Sequence, residues 1–146
     1  MKKKVQILLV EDNEGDIILA QEALKRAKMS NEVIVARDGE EALEYLNRKQ
    51  LNKEGRLPDL ILLDINLPKV DGKEVLTAIK NDPKLKIIPV VMLTTSASEK
   101  DVLDAYSNHA NCFITKPSEL DKFLHIVHKI ENFWLSIVKL PSEASI

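Results

Sequence analysis

Four apolar segments of this chain each end in polar side chains that can do chemistry. In chain order these are Glu11 with Asp12, Asp64, Thr94 and Lys116. Crowded carboxylates repel one another and attract a divalent cation, and Mg²⁺ prefers a partial shell of carboxylates, waters and phosphate oxygens. Aspartate is also a competent phosphoryl acceptor, and a lysine and a hydroxyl can hold the phosphoryl oxygens. The pattern therefore indicates Mg²⁺-assisted phosphoryl acceptance, provided that the fold brings the strand ends together.

Strand-like and helix-like segments alternate five times along the chain. The predicted strands occupy approximately residues 5–10, 32–36, 59–63, 88–93 and 111–115. Helical patterns fill approximately residues 15–28, 39–49, 72–81, 99–107 and 119–138, and residues 50–57 are predicted to form a polar loop. The strands are near-continuous apolar runs, which is typical of strands buried on both faces of a parallel sheet.

Five such units predict an α/β fold, a doubly wound three-layer αβα sandwich around a five-stranded parallel sheet. Right-handed crossovers make 2-1-3-4-5 the common strand order for this count. In that order the first and third strands are neighbours at the switch point, where ligands bind beyond the carboxyl ends of the strands. Glu11, Asp12 and Asp64 should therefore meet at one site.

Each of these side chains also has a purely structural interpretation. A single aspartate after an apolar strand is more often a helix cap or a turn residue. Asn13 is better placed than Asp12 to cap the first helix. Taken alone, Lys116 could be a solvated lysine and Thr94 an ordinary strand-end residue. Capping does not require complementary groups at four strand ends, so the set as a whole favours the functional interpretation.

The composition excludes several classes of protein. The chain has 146 residues, of which 45% are hydrophobic and 30% charged, as expected for one globular domain with a real core. The net charge of -2 gives no reason to expect a nucleic-acid partner. No apolar run reaches the roughly 18 residues that span a membrane. The short apolar run behind the N-terminal lysines does not fit a signal peptide, and Cys112, the single cysteine, precludes an internal disulfide. A cytoplasmic protein is predicted.

The strand-end residues, in this order and spacing, resemble the receiver domain of two-component response regulators. The resemblance covers essentially the whole chain and rests on Glu11-Asp12, the segment 62–68 around Asp64, Asp71-Gly72, Thr94 and Lys116-Pro117. Residues 66–69, 90–96 and 133–135 are similar, more narrowly, to the cyanobacterial phytochrome-associated response regulators. The resemblance implies a flavodoxin-like, CheY-like domain over residues 1–140 with an extended fifth helix. A short frayed tail at 141–146 and no output domain are expected.

The resemblance also implies a role for each site residue. Asp64 would accept a phosphoryl group from a histidine of a sensor kinase, of phytochrome type in the narrower group. Asp12, Asp64 and the backbone carbonyl of Asn66 would bind Mg²⁺, which Glu11 would contact through water. The groups that bind the phosphoryl oxygens would be Thr94 and Lys116, the switch would be Thr94 and Phe113, and the positions that tune autodephosphorylation would be Asn66 and Ser96.

The last predicted helix indicates how a signal would leave the protein. Its apolar side chains cover an arc of roughly 200°, about twice the usual stripe, so one sheet face cannot bury them all. One interpretation extends this helix over a neighbouring element. We favour an interaction surface that includes Phe133 and Trp134, with Phe133 or Ile126 facing outward. It would support a homodimer through the fourth helix, fifth strand and fifth helix, or bind an unidentified downstream protein.

Three functions are compatible with the sequence. The favoured one is a phosphorylation switch, which is not an enzyme in the usual sense because it catalyses only its own phosphorylation and dephosphorylation. The second is a small aspartate-nucleophile phosphatase. Such enzymes usually carry a second aspartate two residues beyond the nucleophile, where this chain has Asn66. The third is a phosphorylation-independent dimeric scaffold that makes no use of its acids.

Overall fold

The computed structural model describes residues 4–27, 30–52, 55–65, 67–94, 112–115 and 120–130. The elements alternate in type along most of this part of the chain. They are β1 (Val5–Val10), α1 (Glu14–Lys25), β2 (Asn31–Ala36), α2 (Gly39–Leu51), β3 (Leu60–Asp64), α3 (Gly72–Lys80), β4 (Val90–Thr94), β5 (Cys112–Thr115) and α4 (Leu120–Ile130). Helix α4 corresponds to the last of the five predicted helices. The fourth predicted helix, at residues 99–107, lies outside the described residues.

The strands form one parallel sheet in the order β2-β1-β3-β4-β5, as the sequence predicts. Within it, Val10 of β1 pairs with Leu63 of β3. The last residue of β3, Asp64, pairs with Leu93 of β4. The carboxyl ends of β1, β3 and β4 therefore lie side by side at one edge of the sheet, which is where this fold places its ligands.

The two faces of the sheet carry separate apolar cores. Alternate residues of each strand point to opposite faces. One set packs against α2 and α3, through residues that include Leu46, Leu76 and Ile79. The other set packs against α1 and α4, through residues that include Ile17 and Phe123. Each fully buried side chain of this size contributes about 1.5–3 kcal/mol to stability, so the two cores hold the central strands rigidly.

Strand β2 differs from the expectation of strands buried on both faces. Every residue of β1 is buried, whereas most of β2 is only partly buried. The reason is its position, because β2 is an edge strand with β1 as its sheet neighbour. Its first two residues, Asn31 and Glu32, are polar and are not fully buried.

Within the described residues, three element boundaries also differ from the sequence prediction by two residues or more. Helix α1 ends at Lys25 rather than near residue 28, and α2 extends through Leu51 into the stretch predicted as a polar loop. Strand β4 begins at Val90 rather than at residue 88. The residues before it form turns, which the ammonium group of Lys80 holds by donating to the carbonyls of Lys86 and Ile88 at 2.9 and 2.8 Å. Among the described residues, no helix is long and apolar enough to cross a membrane.

A buried aspartate fixes the opposite end of the sheet. The carboxylate of Asp59 accepts hydrogen bonds from the Gln6 backbone N–H at 2.9 Å and from Arg56 Nη2 at 2.6 Å. Arg56 also donates to the carbonyl of Lys4 at 3.0 Å. These contacts fasten the segment before β3 to the start of β1, and they lie at the amino ends of the strands, away from Asp64.

Replacement of Asp59 by alanine is expected to lower the free energy of unfolding by about 1–3 kcal/mol, because it leaves the buried Gln6 N–H without this acceptor. The loss of the Arg56 ion pair adds little, since Arg56 is partly exposed. Urea unfolding measures the effect. The phosphoryl acceptance that the sequence predicts for Asp64 should be unchanged at temperatures where the variant is folded. A loss of that reaction would show that the two ends of the sheet are coupled.

Candidate functional site

Asp64 lies at the carboxyl end of β3, buried in the middle of the sheet. Only 5% of the residue is exposed to solvent. The residue after it, Ile65, continues the ladder by donating its N–H to the carbonyl of Leu93 at 3.1 Å. The apolar run before Asp64 therefore holds this carboxylate at the carboxyl end of the sheet. The hydrogen bond of Ile65 with Leu93 restricts the backbone on its other side.

The two acids after β1 occupy different environments. Glu11 is 2% exposed, and its N–H donates to the carbonyl of Ala36 at 3.0 Å, which prolongs the pairing of β1 with β2. Its carboxylate accepts the N–H of Asn13 at 3.2 Å. Asp12 is exposed. Glu11 thus forms the buried part of the site, and Asp12 forms its solvent-exposed part.

Asn13 is the N-cap of α1, as the sequence predicts. Its side-chain oxygen accepts the N–H of Asp16 at 2.9 Å, and Ile17 donates its N–H to the Asn13 carbonyl at 2.9 Å. Because Asn13 performs this structural task, capping does not account for Asp12. The alternative interpretation of Asp12 as a helix cap is therefore wrong.

The three carboxylates form one group. Glu11, Asp12 and Asp64 each offer an oxygen within 4.8 Å of the others. A cation with ligands at about 2.0–2.1 Å lies between oxygens that are about 4 Å apart or closer, so a small rotation or a bridging water completes the contacts. Bringing three like charges this close costs free energy that a bound divalent cation offsets. The residues present therefore fit a divalent cation.

The remaining site residues predicted from the sequence are placed only in part. Thr94 ends β4, one residue beyond the partner of Asp64, and its backbone pairs with Thr115 of β5. Phe113 pairs along the backbone with Met92. The side chains of Thr94 and Phe113 lie outside the described part, as do Asn66, Ser96, Lys116, Phe133 and Trp134 in full.

Gly72, which the sequence identified only through the Asp71-Gly72 pair, is also a residue at the site. A Cβ at this position would lie 2.2 Å from the carbonyl oxygen of Asp64 and 2.7 Å from the Cα of Ile65. The Gly72 N–H donates to the carbonyl of Ile65 at 3.1 Å, and Asp71 caps the helix by accepting the Lys73 N–H at 2.7 Å. Helix α3 thus begins directly against the backbone that carries Asp64, and only glycine leaves room for this approach.

An ion pair at the rim of the site was not anticipated from the sequence. Arg37, which follows β2, donates a short hydrogen bond to the carboxylate of Glu14 at the start of α1. This bond raises the pKa of the Arg37 guanidinium above its ordinary value. The backbone N–H of Arg37 also donates to Glu41 at 3.1 Å. Arg37 therefore offsets the negative charge of Glu14, two residues after Asp12, and connects the starts of α1 and α2.

Comparison with known proteins gives the family of the chain. The response regulator receiver domain matches residues 7–128. The response regulator Rcp1 of Synechocystis sp. is 48% identical over 136 residues, which are 93% of this chain and 92% of that protein. A probable methanogenesis regulatory protein, FilR2 of Methanothrix harundinacea, is 43% identical over 140 residues, or 94% of this chain and 88% of that protein.

Solved structures agree with this assignment. The structure of the phosphorylated cyanobacterial phytochrome response regulator RcpA is 51% identical, with a TM-score of 0.87, and the match covers 95% of this chain and 99% of that one. The Mn²⁺-bound form of Rcp1 is 48% identical, with a TM-score of 0.83, covering 93% of this chain and 98% of that one. The fold predicted from the sequence and the resemblance to phytochrome-associated response regulators are both confirmed. The chain belongs to the response regulator receiver domain family, whose members are signalling switches phosphorylated on an aspartate by a histidine kinase.

Proposed function

We propose that Asp64 is the phosphoacceptor of this receiver domain, and that the modified protein signals through its own surface. The observation that carries the proposal is the buried carboxylate of Asp64 at the end of β3, grouped with Glu11 and Asp12 within 4.8 Å. No other such group of three acids occurs in the described residues.

The transfer would proceed by in-line displacement at phosphorus. One carboxylate oxygen of Asp64 forms a bond to the phosphorus of a kinase phosphohistidine while the bond from that phosphorus to the histidine nitrogen breaks. The nitrogen keeps the electron pair. Because the transition state is loose, catalysis rests mainly on positioning and on neutralising the phosphoryl oxygens. The rigid end of β3, between the two apolar cores, supplies the positioning.

Mg²⁺ is the cation that we assign to the site, held by Asp12, Asp64 and the backbone carbonyl of Asn66, with Glu11 contacting it through water. When bound, it would supply positive charge to the phosphoryl oxygens. The three carboxylates support this choice, since oxygen ligands with an open side suit Mg²⁺. The Mn²⁺ ion of the Mn²⁺-bound Rcp1 structure is also a divalent cation, which supports the same class of ligand here.

Thr94 and Lys116 are proposed to bind the phosphoryl oxygens. Their support is the register of the sheet, because Thr94 directly follows the partner of Asp64 and Lys116 directly follows Thr115, the partner of Thr94. Thr94 and Phe113 would then form the switch, and Asn66 and Ser96 would tune autodephosphorylation. We further propose that the receiver domain spans residues 1–140, followed by a short tail at 141–146.

Intact mass after incubation with Mg²⁺ and a small phosphodonor tests the proposal. We expect one added phosphoryl group on the protein, and none when Mg²⁺ is chelated. Sustained release of phosphate from a generic phosphomonoester would indicate a phosphatase instead. Absence of both phosphorylation and Mg²⁺ binding would leave the dimeric scaffold as the function.

The upstream partner is proposed to be a sensor histidine kinase of phytochrome type, and the protein is proposed to be cytoplasmic. The support for the kinase class is the similarity to the solved phytochrome response regulator RcpA. The test measures the rate of phosphotransfer to this protein from phytochrome-type kinases and from kinases of other sensor classes at equal concentration. A faster rate from the phytochrome-type kinases is expected.

Output is proposed to occur through a homodimer or through a downstream protein bound at the same face. In α4, Phe123 and Val127 are buried against α1 and the sheet, while His125, His128 and Lys129 are exposed. Ile126 is partly buried against the same core, so it is less available than expected for the centre of an interface. The proposed surface therefore relies on Phe133 and Trp134.

Replacement of Trp134 by alanine is expected to weaken dimerisation of the phosphorylated protein by about 2 kcal/mol or more, because tryptophans at the centre of an interface often have effects of this size. Sedimentation of the phosphorylated and unmodified proteins measures the change. Leu51→Ala is the control, since Leu51 is a highly exposed apolar side chain at the end of α2. An equal effect of the two substitutions would contradict the proposed interface.

A further inference from the structure

The loop between Asp64 and α3 packs against the start of another helix. Gly39 is the first residue of α2, and a Cβ there would lie 2.2 Å from the carbonyl oxygen of Val70 and 2.8 Å from the Val70 Cβ. A third close contact would be with Cγ2 of Val75, at 2.8 Å. Gly39 does not adopt positive φ. Glycine is therefore required at this position by lack of space and not by backbone conformation.

Ion pairs also connect the loop before α3 to the start of α2. Lys69 lies 3.6 Å from a carboxylate oxygen of Asp38 and 4.0 Å from one of Glu40, the two residues that flank Gly39. Its φ of 64° falls in the left-handed region, which is unfavourable for a residue with a side chain. Asp38 is in turn fixed as the N-cap of α2, where it accepts the Glu41 N–H at 2.8 Å. We refer to the contacts of Lys69 and Val70 with residues 38–40 as the loop clamp.

The other end of this loop is fastened to the site itself. Gly72, two residues after Val70, packs against the carbonyl of Asp64 and donates its N–H to Ile65. A displacement of Val70 would therefore move Asp71 and Gly72, and the close contact of Gly72 would pass the movement to the backbone of Asp64. Gly39, which is distant from Asp64 in sequence, is connected to it by this short path.

We propose that Gly39 is a positioning residue for phosphoryl transfer to Asp64, acting through the loop clamp. This inference rests on the function proposed above. Alanine forms helices better than glycine does, so helix formation does not explain a glycine at the start of α2. The close approach of the loop does explain it, and a misplacement of about 1 Å at a remote position can lower a rate about 100-fold.

The test compares two glycines at each of which a Cβ would lie within 2.5 Å of a backbone carbonyl oxygen. In Gly39→Ala the new methyl group meets the carbonyl of Val70. In the control, Gly55→Ala, it would lie 2.4 Å from the carbonyl of Lys49, near the other end of α2. Both substitutions are expected to destabilise the fold, so each variant is assayed at a temperature where circular dichroism shows that it is fully folded. The readouts are the Mg²⁺ dissociation constant and the phosphorylation rate as a function of phosphodonor concentration.

We expect Gly39→Ala to weaken Mg²⁺ binding about 10-fold or more, as loss of a residue that orients ligands does, and to lower the maximal phosphorylation rate by about 10–100-fold. The half-saturating phosphodonor concentration should change little, and Gly55→Ala should leave all three quantities near those of the wild type. Wild-type values in Gly39→Ala, or equal losses in both variants, would overturn the inference. A wild-type protein that takes up no phosphoryl group would instead refute the proposed function.

If Gly39→Ala does not fold, Lys69→Gly decides the question. Glycine accommodates the φ of 64° without strain, so this variant removes the two ion pairs of the clamp and retains the fold. A several-fold weaker affinity for Mg²⁺, restored in Lys69→Arg, is the expected result. Unchanged affinity and unchanged phosphorylation rate in Lys69→Gly would overturn the inference.

Discussion

Replacement of Asp64 by asparagine is expected to abolish phosphorylation of the protein by a small phosphodonor and by a sensor kinase alike. The amide has the shape of the carboxylate but is neutral, so it offers no competent nucleophilic oxygen. The fold should survive, because the substitution preserves volume at a buried position and removes one of three clustered negative charges. Intact mass after incubation with Mg²⁺ and phosphodonor measures the result, with one added phosphoryl group expected only in the wild type.

Asp59→Asn is the matched control for this experiment. Asp59 and Asp64 are both buried aspartates, one directly before β3 and the other its last residue. Each substitution removes a charge and keeps the shape of the side chain. Asp59→Asn should accept the phosphoryl group like the wild type. If Asp64→Asn still acquires one phosphoryl group, peptide mapping of the modified carboxylate would identify the true acceptor, and the exposed Asp12 would be the first candidate.

The central strands and the acidic group follow from local sequence patterns. Apart from Gln6 and the terminal Asp64, the runs that form β1 and β3 are apolar, and a parallel sheet that buries both faces accepts little else. Once those strands are neighbours, the positions of Glu11, Asp12 and Asp64 are determined by the chain itself. Asn13 was recognisable as the cap because a side-chain amide at that position satisfies the free N–H groups of the helix.

Features that depend on contacts between distant segments were not predictable in the same way. The partial burial of β2 results from its place at the edge of the sheet, which the predicted strand order implies but the residues of β2 alone do not. In the sequence, Gly39 and Gly72 are only the first residues of the predicted helices at 39–49 and 72–81. Their tight contacts with Val70 and Asp64 depend on how α2 and α3 pack. The ion pair of Arg37 with Glu14 likewise joins two helix starts that only the folded sheet brings together.

The substitution Asp12→Asn should have opposite effects on stability with and without Mg²⁺. Without the cation, the variant should be more stable than the wild type, because removing one charge relieves repulsions of between about 1 and 4 kcal/mol for each pair at this separation. The lower figure applies more closely, since Asp12 is exposed. At saturating Mg²⁺ the order should reverse, because a ligand present at 100 times its dissociation constant stabilises a protein by about 2.7 kcal/mol.

Urea unfolding over a range of Mg²⁺ concentrations measures this reversal. The loss of affinity in Asp12→Asn should exceed the roughly 10–100-fold that removal of a supporting residue causes, because Asp12 is assigned as a direct ligand. Glu44→Gln is the control, as it removes an exposed carboxylate of α2 that does not belong to the acidic group. Its stability should respond to Mg²⁺ as the wild type does. If Asp12→Asn were less stable without the cation, the acidic group would be stabilising in itself, and repulsion between the carboxylates could not be what prepares the site for Mg²⁺.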